Sequence, residues 1–358
     1  MQAPEALEEE GPGDEGSDTI ALVRYVVEPN YAGWRLDRYL CDKLRRLSRT
    51  RVQEIIANDL EYERQLKPST LVWPGLTFQL RRRMRVEPTV PDVAALSQVF
   101  LDEAILVVDK PAGLPMHPSA RYHHNTLTAQ LKLKYPPPFK ADPAHRLDRE
   151  TSGLVVCART LEVSQALTKA FAEGEVHKEY LAVVEGHPPA DAFDVDAPIA
   201  EGTALIRIAV RIDQENGRPA RTRFVVEQRF ERDGAAFALL RCFPETGRQH
   251  QIRIHAQYAG FPLVGDKMYG ADPGYFDRFS RRCLEPEAWV ALRLPRHALH
   301  ATALSLAHPT TFVPLRFDSP LPHDLAEFLR PPSDIEGRSR PERSLVTHPI
   351  GAETKRFE

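Results

Sequence analysis

The stretch Thr222-Arg223-Phe224-Val225-Val226-Glu227, followed after a short polar link by Phe237-Ala238-Leu239-Leu240-Arg241-Cys242-Phe243, decides the fold class. Both runs are rich in β-branched and aromatic residues, and no helix separates them. Leu205 to Val210 just upstream reads as a third strand. Strands that arrive in succession form an antiparallel or mixed sheet rather than a doubly wound parallel one. Working outward, Ile105 to Val108, Leu154 to Ala158 and Glu179 to Val184 also read as strands, and Ser164 to Ala172 reads as a helix. The expected class is α+β, a mixed and mainly antiparallel sheet with flanking helices. Neither Gly-x-Gly-x-x-Gly nor a phosphate-loop lysine motif is present, and no repeat period appears, so nucleotide-cofactor chemistry has no support.

The chain has 358 residues, a hydrophobic fraction of 42% and a formal charge of −3. That charge argues against a nucleic-acid partner only until its distribution is considered. Residues 1–18 carry seven acids and no base and read as a disordered acidic tail; residues 331–358 carry five of each in a Pro/Ser/Arg-rich stretch and read as a second tail. Without them 42 bases face 38 acids, or +4, and residues 19–90 alone hold 14 bases and 8 acids, or +6. The apolar runs fall far short of a membrane span, and the acidic start lacks the basic head and apolar stretch of a signal peptide, so a cytoplasmic protein without a membrane partner is expected. Cys41, Cys157, Cys242 and Cys283 form no Cys-x-x-Cys pair, which indicates neither a zinc cluster nor a disulfide framework.

Within residues 19–90, Leu36, Tyr39, Leu40, Leu44 and Leu47 recur at helical steps, with arginines and lysines on the other faces. Ser48 or Thr50 can cap a second helix through Val52, Ile55 and Ile56, ending near Asn58-Asp59, with Arg49 and Arg51 turned outward. Leu71 to Leu80 reads as a strand broken at Pro74-Gly75, and Arg81-Arg82-Arg83 follows. Two short basic helices beside an arginine cluster suit a phosphate backbone; an ordinary solvated face has the same composition. A Pro-containing join, Glu87 to Asp92, leads to a larger domain over residues 97–330.

Three segments there could carry chemistry. His145-Arg146-Leu147-Asp148-Arg149-Glu150-Thr151-Ser152-Gly153 runs straight into an apolar strand, and Asp148 lies between two arginines, where a carboxylate can be kept ionised and serve as nucleophile or base. A salt-bridged turn would look the same. In Thr246-Gly247-Arg248-Gln249-His250-Gln251-Ile252-Arg253-Ile254-His255, Thr246 is a candidate helix cap, and Arg248 and Arg253 are candidates to face an anion. His250 and His255 stand five residues apart and converge on neither a helix nor a strand, so no metal is expected. Alternation along His177 to Val184 puts Lys178 and Tyr180 on one face, with Tyr180 either a half-buried strand tyrosine or a residue that stacks on a base.

Taken in order, these segments resemble the RluA-type family of RNA pseudouridine synthases. The resemblance extends through Asp109-Lys110-Pro111-Ala112-Gly113-Leu114, Gly217-Arg218-Pro219-Ala220, Pro262-Leu263-Val264-Gly265-Asp266 with Tyr269-Gly270, Leu299-His300-Ala301 and His308-Pro309, and covers residues 97–330. Residues 33–60 resemble the small αL-type RNA-binding module that many members carry in front. Two positions depart from the pattern: Gln249 stands where a small hydroxyl residue is usual, and Asp59 to Gln65 replaces the module's Gly-x-Val-x-Val-Asn-Gly-like ending, leaving a degenerate module. The resemblance implies isomerisation of uridine within RNA: the base is detached, rotated and rejoined through carbon 5, with no cofactor. It implies Asp148 as the essential carboxylate, Tyr180 against the uracil, Arg253 as the partner of Asp148 with Arg248 as a second candidate, and Arg146 filling the space the flipped base leaves. Arg149, Arg248, Arg49 and Arg51 join Arg146 as expected RNA contacts. Ribosomal RNA, transfer RNA or both are the expected partners of a chain whose default state is the monomer. An RNA-binding or RNA-folding protein with lapsed catalysis is the alternative. A carboxylate nucleosidase would need a second acid, for which Glu150 is the nearest candidate.

Overall fold

A computed structural model of the chain describes residues 19–331 apart from 45–46, 85–86, 88–89, 92–95, 120–121, 123, 203–208, 273 and 282. The tails expected over 1–18 and 331–358 lie outside the described residues except for Pro331. The chain divides into two compact units. One holds Met1–Glu150, Val155–Thr168 and Asp277–Leu284; the other holds Thr151–Leu154, Lys169–Phe276 and Glu285–Glu358. The division at Glu150 cuts inside the Asp148 segment rather than at the Pro-containing join.

The first unit opens with β1 (Thr19–Val26), α1 (Leu36–Lys43), α2 (Arg49–Asn58), β2 (Leu60–Glu61) and β3 (Thr77–Met84). The strands form a sheet in the order β1-β3-β2. Leu36, Tyr39, Leu40 and Leu44 are buried with Val52, Ile56, Leu76, Phe78 and Leu80 in a core of their own. Leu47, placed on that face by its spacing, follows the end of α1 and is partly exposed. Ser48 caps α2, its side chain accepting from the Arg51 amide. The strand expected from Leu71 begins only at Thr77, because Pro74-Gly75 forms a turn, with Gly75 at φ +82°, and the strand then runs on through the arginines to Met84. Strand β1, which the reading of helices and charge passed over, pairs with β3 along its whole length. Further on come β4 (Ser97–Leu101), β5 (Ile105–Lys110), α3 (Leu127–Lys134), β6 (Asp142–Pro143), β7 (Ser152–Ala158) and α4 (Leu161–Glu173). In this unit the sheet order is β4-β5-β7, with β6 on β7. The final residues of α4 and the first of β7 belong to the other unit.

The second unit contains β8 (His177–Glu185), β9 (Ala192–Asp196), β10 (Ile199–Glu201), β11 (Val210–Ile212), β12 (Arg221–Arg232), β13 (Ala235–Pro244), α5 (Gln251–Tyr258), α6 (Tyr275–Ser280, largely in the first unit), α7 (Pro286–Leu292), β14 (Leu299–Ala307), β15 (Pro314–Asp318) and α8 (His323–Leu329). The order is β14-β8-β13-β12-β9, with β15 on β14. The two runs that decided the fold class become the antiparallel pair β12 and β13, with Phe224 opposite Cys242 and a bulge between Val226 and Gln228. Ser152 and Gly153 of β7 pair in parallel with His300 and Ala301. The result is the expected α+β class, a mixed and mainly antiparallel sheet with helices beside it. The strand expected over Leu205 to Val210 falls mainly on 203–208, outside the described residues; Val210 begins β11. Phe224, Ala238, Leu240 and Cys242 form the inner face with Ile252 and Ala256 of α5, so the helix that carries Arg253 is fastened to the sheet by its apolar side. No helix among the described residues is long and apolar enough to cross a membrane.

Candidate active site

Asp148 lies half-buried in the loop between β6 and β7, with Arg146 exposed and Leu147 buried beneath it. The first unit holds this loop from both sides. His145 Nε2 accepts the Val156 amide at 3.1 Å, which fastens the loop's entry to β7. At its exit, the fully buried Lys110 directs its ammonium to three carbonyls: Pro111 at 2.9 Å, Leu114 at 3.0 Å and Arg149 at 3.1 Å. The Gly113 amide donates to the same Arg149 carbonyl at 2.8 Å. A buried ammonium is tolerable only when its donors are satisfied, and here they are satisfied by the main chain beside Asp148. Arg149 extends its guanidinium to the Tyr122 hydroxyl at 3.1 Å and to Glu150 at 3.3 Å. Arg146 stands near His117, whose imidazole is pushed down first by burial and then by the Arg146 charge. His117 drew no attention in the sequence, since a lone histidine carries no spacing signal.

In the second unit, the residues that follow the loop are pinned through side chains. Thr151 Oγ1 and His297 Nε2 are 2.7 Å apart, and Ser152 Oγ and His300 Nδ1 are 3.0 Å apart, all four residues being buried. Gly153 has φ +115°, and a Cβ there would meet the Ala301 carbonyl oxygen at 2.2 Å, so the parallel pairing of β7 and β14 requires glycine.

Tyr180, on β8 opposite Cys242 of β13 and Ala301 of β14, is partly buried at the margin of the core. Arg253 projects from α5 into the interior and makes a bidentate ion pair with Asp266, Nε to Oδ2 at 2.7 Å and Nη2 to Oδ1 at 2.9 Å. Asp266 also accepts the Met268 and Tyr269 amides at 2.9 and 3.0 Å. Burial pushes Asp266 up, but the Arg253 guanidinium overcomes it, with His297 and the Met268 amide assisting, and the carboxyl is held well below the usual carboxylate range. Asp266 stood in a matched motif without a role; thirteen residues from Arg253, its pairing is invisible to local spacing.

Thr246 does not cap α5. The Gln251 side chain draws in both the Thr246 hydroxyl at 2.6 Å and the Arg248 amide at 3.0 Å, so the loop closes on itself and the helix starts at Gln251 after His250, which has φ 53°. His250 Nδ1 is 2.9 Å from the Tyr269 hydroxyl, whereas His255 is fully buried between Thr222 Oγ1 at 2.9 Å and the Ala197 carbonyl at 3.0 Å. Among the described residues, no group of three or more His, Cys, Asp or Glu could hold a metal ion.

The two expected RNA contacts of the first unit's helices differ. Arg49 donates from Nε and Nη2 to the fully buried Asp37, at 3.2 and 2.9 Å, beside Arg35 and Gln53, which donate to the same carboxylate. Arg51 instead forms an exposed ion pair with Glu54 at 2.7 Å, a contact worth little in water.

The sequence was compared with known proteins. Residues 104–258 match the family described as RNA pseudouridylate synthase. The chain is 36% identical over 328 residues to ribosomal large subunit pseudouridine synthase D of Nitrosomonas europaea, covering 88% of each chain. It is 32% identical over 329 residues to ribosomal large subunit pseudouridine synthase C of Escherichia coli K12, covering 88% of this chain and 98% of the relative. Among solved structures, human RNA pseudouridylate synthase domain containing 1 superposes with a TM-score of 0.53 at 28% identity, over 66% of this chain and 86% of that one. With the full length of these bacterial enzymes matched almost end to end and the fold shared, the chain belongs to the RluA-type family of RNA pseudouridine synthases.

Proposed function

We propose that this protein isomerises specific uridines of large-subunit ribosomal RNA to pseudouridine in the cytoplasm, acting as a monomer without a cofactor. The observation that carries this reading is the end-to-end likeness to relatives named for that RNA, over 88% of the chain. Asp148 is the essential carboxylate, acting on the sugar or base of a uridine removed from its stack, or assisting proton removal from the ribose. Tyr180 lies against the uracil, and Arg253, kept rigid by Asp266, supplies fixed positive charge to the reacting centre. Arg146, exposed at the loop, occupies the space left in the RNA, and Arg149 and Arg248 contact the backbone. Residues 19–90 act as the accessory RNA-binding module, with Arg49 and Arg51 on its outer face, and 97–330 form the catalytic domain.

The test is to compare wild type with Asp148→Asn on an unmodified large-subunit ribosomal RNA transcript. Pseudouridine should form with the wild type at discrete positions and fall by at least about a thousandfold in the variant, the range expected when an acting carboxylate is removed. Equal product from both proteins would refute the assignment of Asp148.

A further inference from the structure

Lys178 is a cation with little to compensate it. It lies on β8 two residues before Tyr180, on the same face by strand alternation. Its side chain is half-buried, and its Nζ donates to the Thr246 carbonyl at 3.3 Å, the one polar partner it has among the described residues. The carboxylates next in sequence to Lys178 and to Thr246 are engaged elsewhere. Glu179, on the opposite face, binds Arg241 at 3.0 Å and Arg316 at 2.6 Å, and Glu245 pairs with Arg221 at 3.6 Å. Gly247 lies beside the ammonium, where an added Cβ would stand 3.9 Å from Nζ, in ordinary van der Waals contact. The next residue, Arg248, is also partly buried, spends its Nε on the Pro219 carbonyl at 3.2 Å and has a second arginine, Arg218, beside it.

Burial pulls the Lys178 ammonium below its ordinary value, and burial followed by the charge of Arg218 does the same to the Arg248 guanidinium. A carboxylate partner would oppose that direction, and none does so at either residue. A cation drawn out of water with no anion beside it is costly unless an anion arrives, and the Thr246 carbonyl that Lys178 holds lies two residues before Arg248, which has Arg218 next to it. We propose that Lys178, with Arg248 and Arg218, forms a phosphate-binding site that holds the RNA backbone on the face of β8 shared with Tyr180. The proposal rests on the RNA synthase reading and deepens it by assigning a backbone contact to a lysine with no role in the chemistry.

The test uses the full chain and a uridine decamer, with Kd measured across potassium chloride concentrations. Wild type is compared with Lys178→Met, Lys178→Arg and, at an exposed position where folding is not at issue, Arg218→Gln. Pseudouridine formation in a large-subunit ribosomal RNA transcript is followed in parallel. The expected result for Lys178→Met is binding weaker by about tenfold, with a plot of log affinity against log salt shallower by about 0.7, the loss of one single-strand phosphate contact. KM for the transcript should rise while kcat stays within about threefold, Lys178→Arg should restore the slope, and Arg218→Gln should flatten it. An unchanged slope in Lys178→Met and Arg218→Gln overturns the site, as does a loss confined to kcat. Should the wild type bind with the Lys178-dependent slope yet form no pseudouridine, the synthase reading fails and the phosphate site stands.

Discussion

At the scale of single residues, the Arg253–Asp266 pair shows how a charged group can be fixed inside the fold. Both side chains are almost fully buried, and the carboxylate has four donors on it. Asp266→Asn removes the bidentate acceptor from a buried guanidinium and should cost on the order of 3 kcal/mol, read from urea unfolding at pH 7. The pH dependence has a definite sign. Because the folded-state value is depressed, the stabilisation is present above the unfolded carboxylate value of about 3.9 and is lost as pH falls below it toward the folded value. The gap between wild type and variant should therefore hold steady from pH 7 to about pH 4 and narrow at lower pH. Of these two residues only Arg253 was legible in the sequence as a functional candidate. Asp266 was not, because its partner Arg253 stands thirteen residues away, and the burial of Asp37 was not either, because Arg49 and Gln53 join Arg35 on its carboxylate only once α1 and α2 pack together. Asp148 stood out as a candidate because its neighbours in sequence carry the signature themselves.

At the scale of elements, alternation of apolar and polar residues was a reliable guide wherever a strand has one face in the core, as in β12, where Thr222 and Phe224 are buried between exposed Arg221 and Arg223. It gave no warning of β1, whose partner β3 lies more than fifty residues along the chain. Nor did it reveal the close approach of β7 to β14. Gly153→Ala there would combine an unfavourable φ with a backbone collision, costing about 3 kcal/mol or more. Gly234, also at positive φ, has nothing within 4 Å of an added Cβ, so Gly234→Ala should cost only about 1 kcal/mol. Thermal unfolding of the two variants side by side separates strain from collision. If Gly153→Ala melts like Gly234→Ala, the tight packing of the strands is wrong.

At the scale of the whole molecule, the uneven charge matters more than its sum. On the function proposed above, the +6 of residues 19–90 and the basic residues around Lys178 would draw the RNA in, while the charge of Arg253 is buried and fixed in place by Asp266, out of reach of salt. Ionic strength should therefore act on capture rather than on the chemical step. Raising potassium chloride from 50 to 200 mM should increase KM for the ribosomal RNA transcript more than about tenfold and leave kcat within about twofold, as steady-state kinetics can check. The loop that bears Asp148 is held by Lys110 through its main chain, by His145, and by the hydroxyls of Thr151 and Ser152. If Asp148 is the reacting group proposed above, a loop mounted through its main chain and through neighbouring side chains makes the Asp148→Asn protein a natural bait: it should keep the RNA affinity of the wild type, and the RNA it retains in a cell would name the address that the motif alone does not.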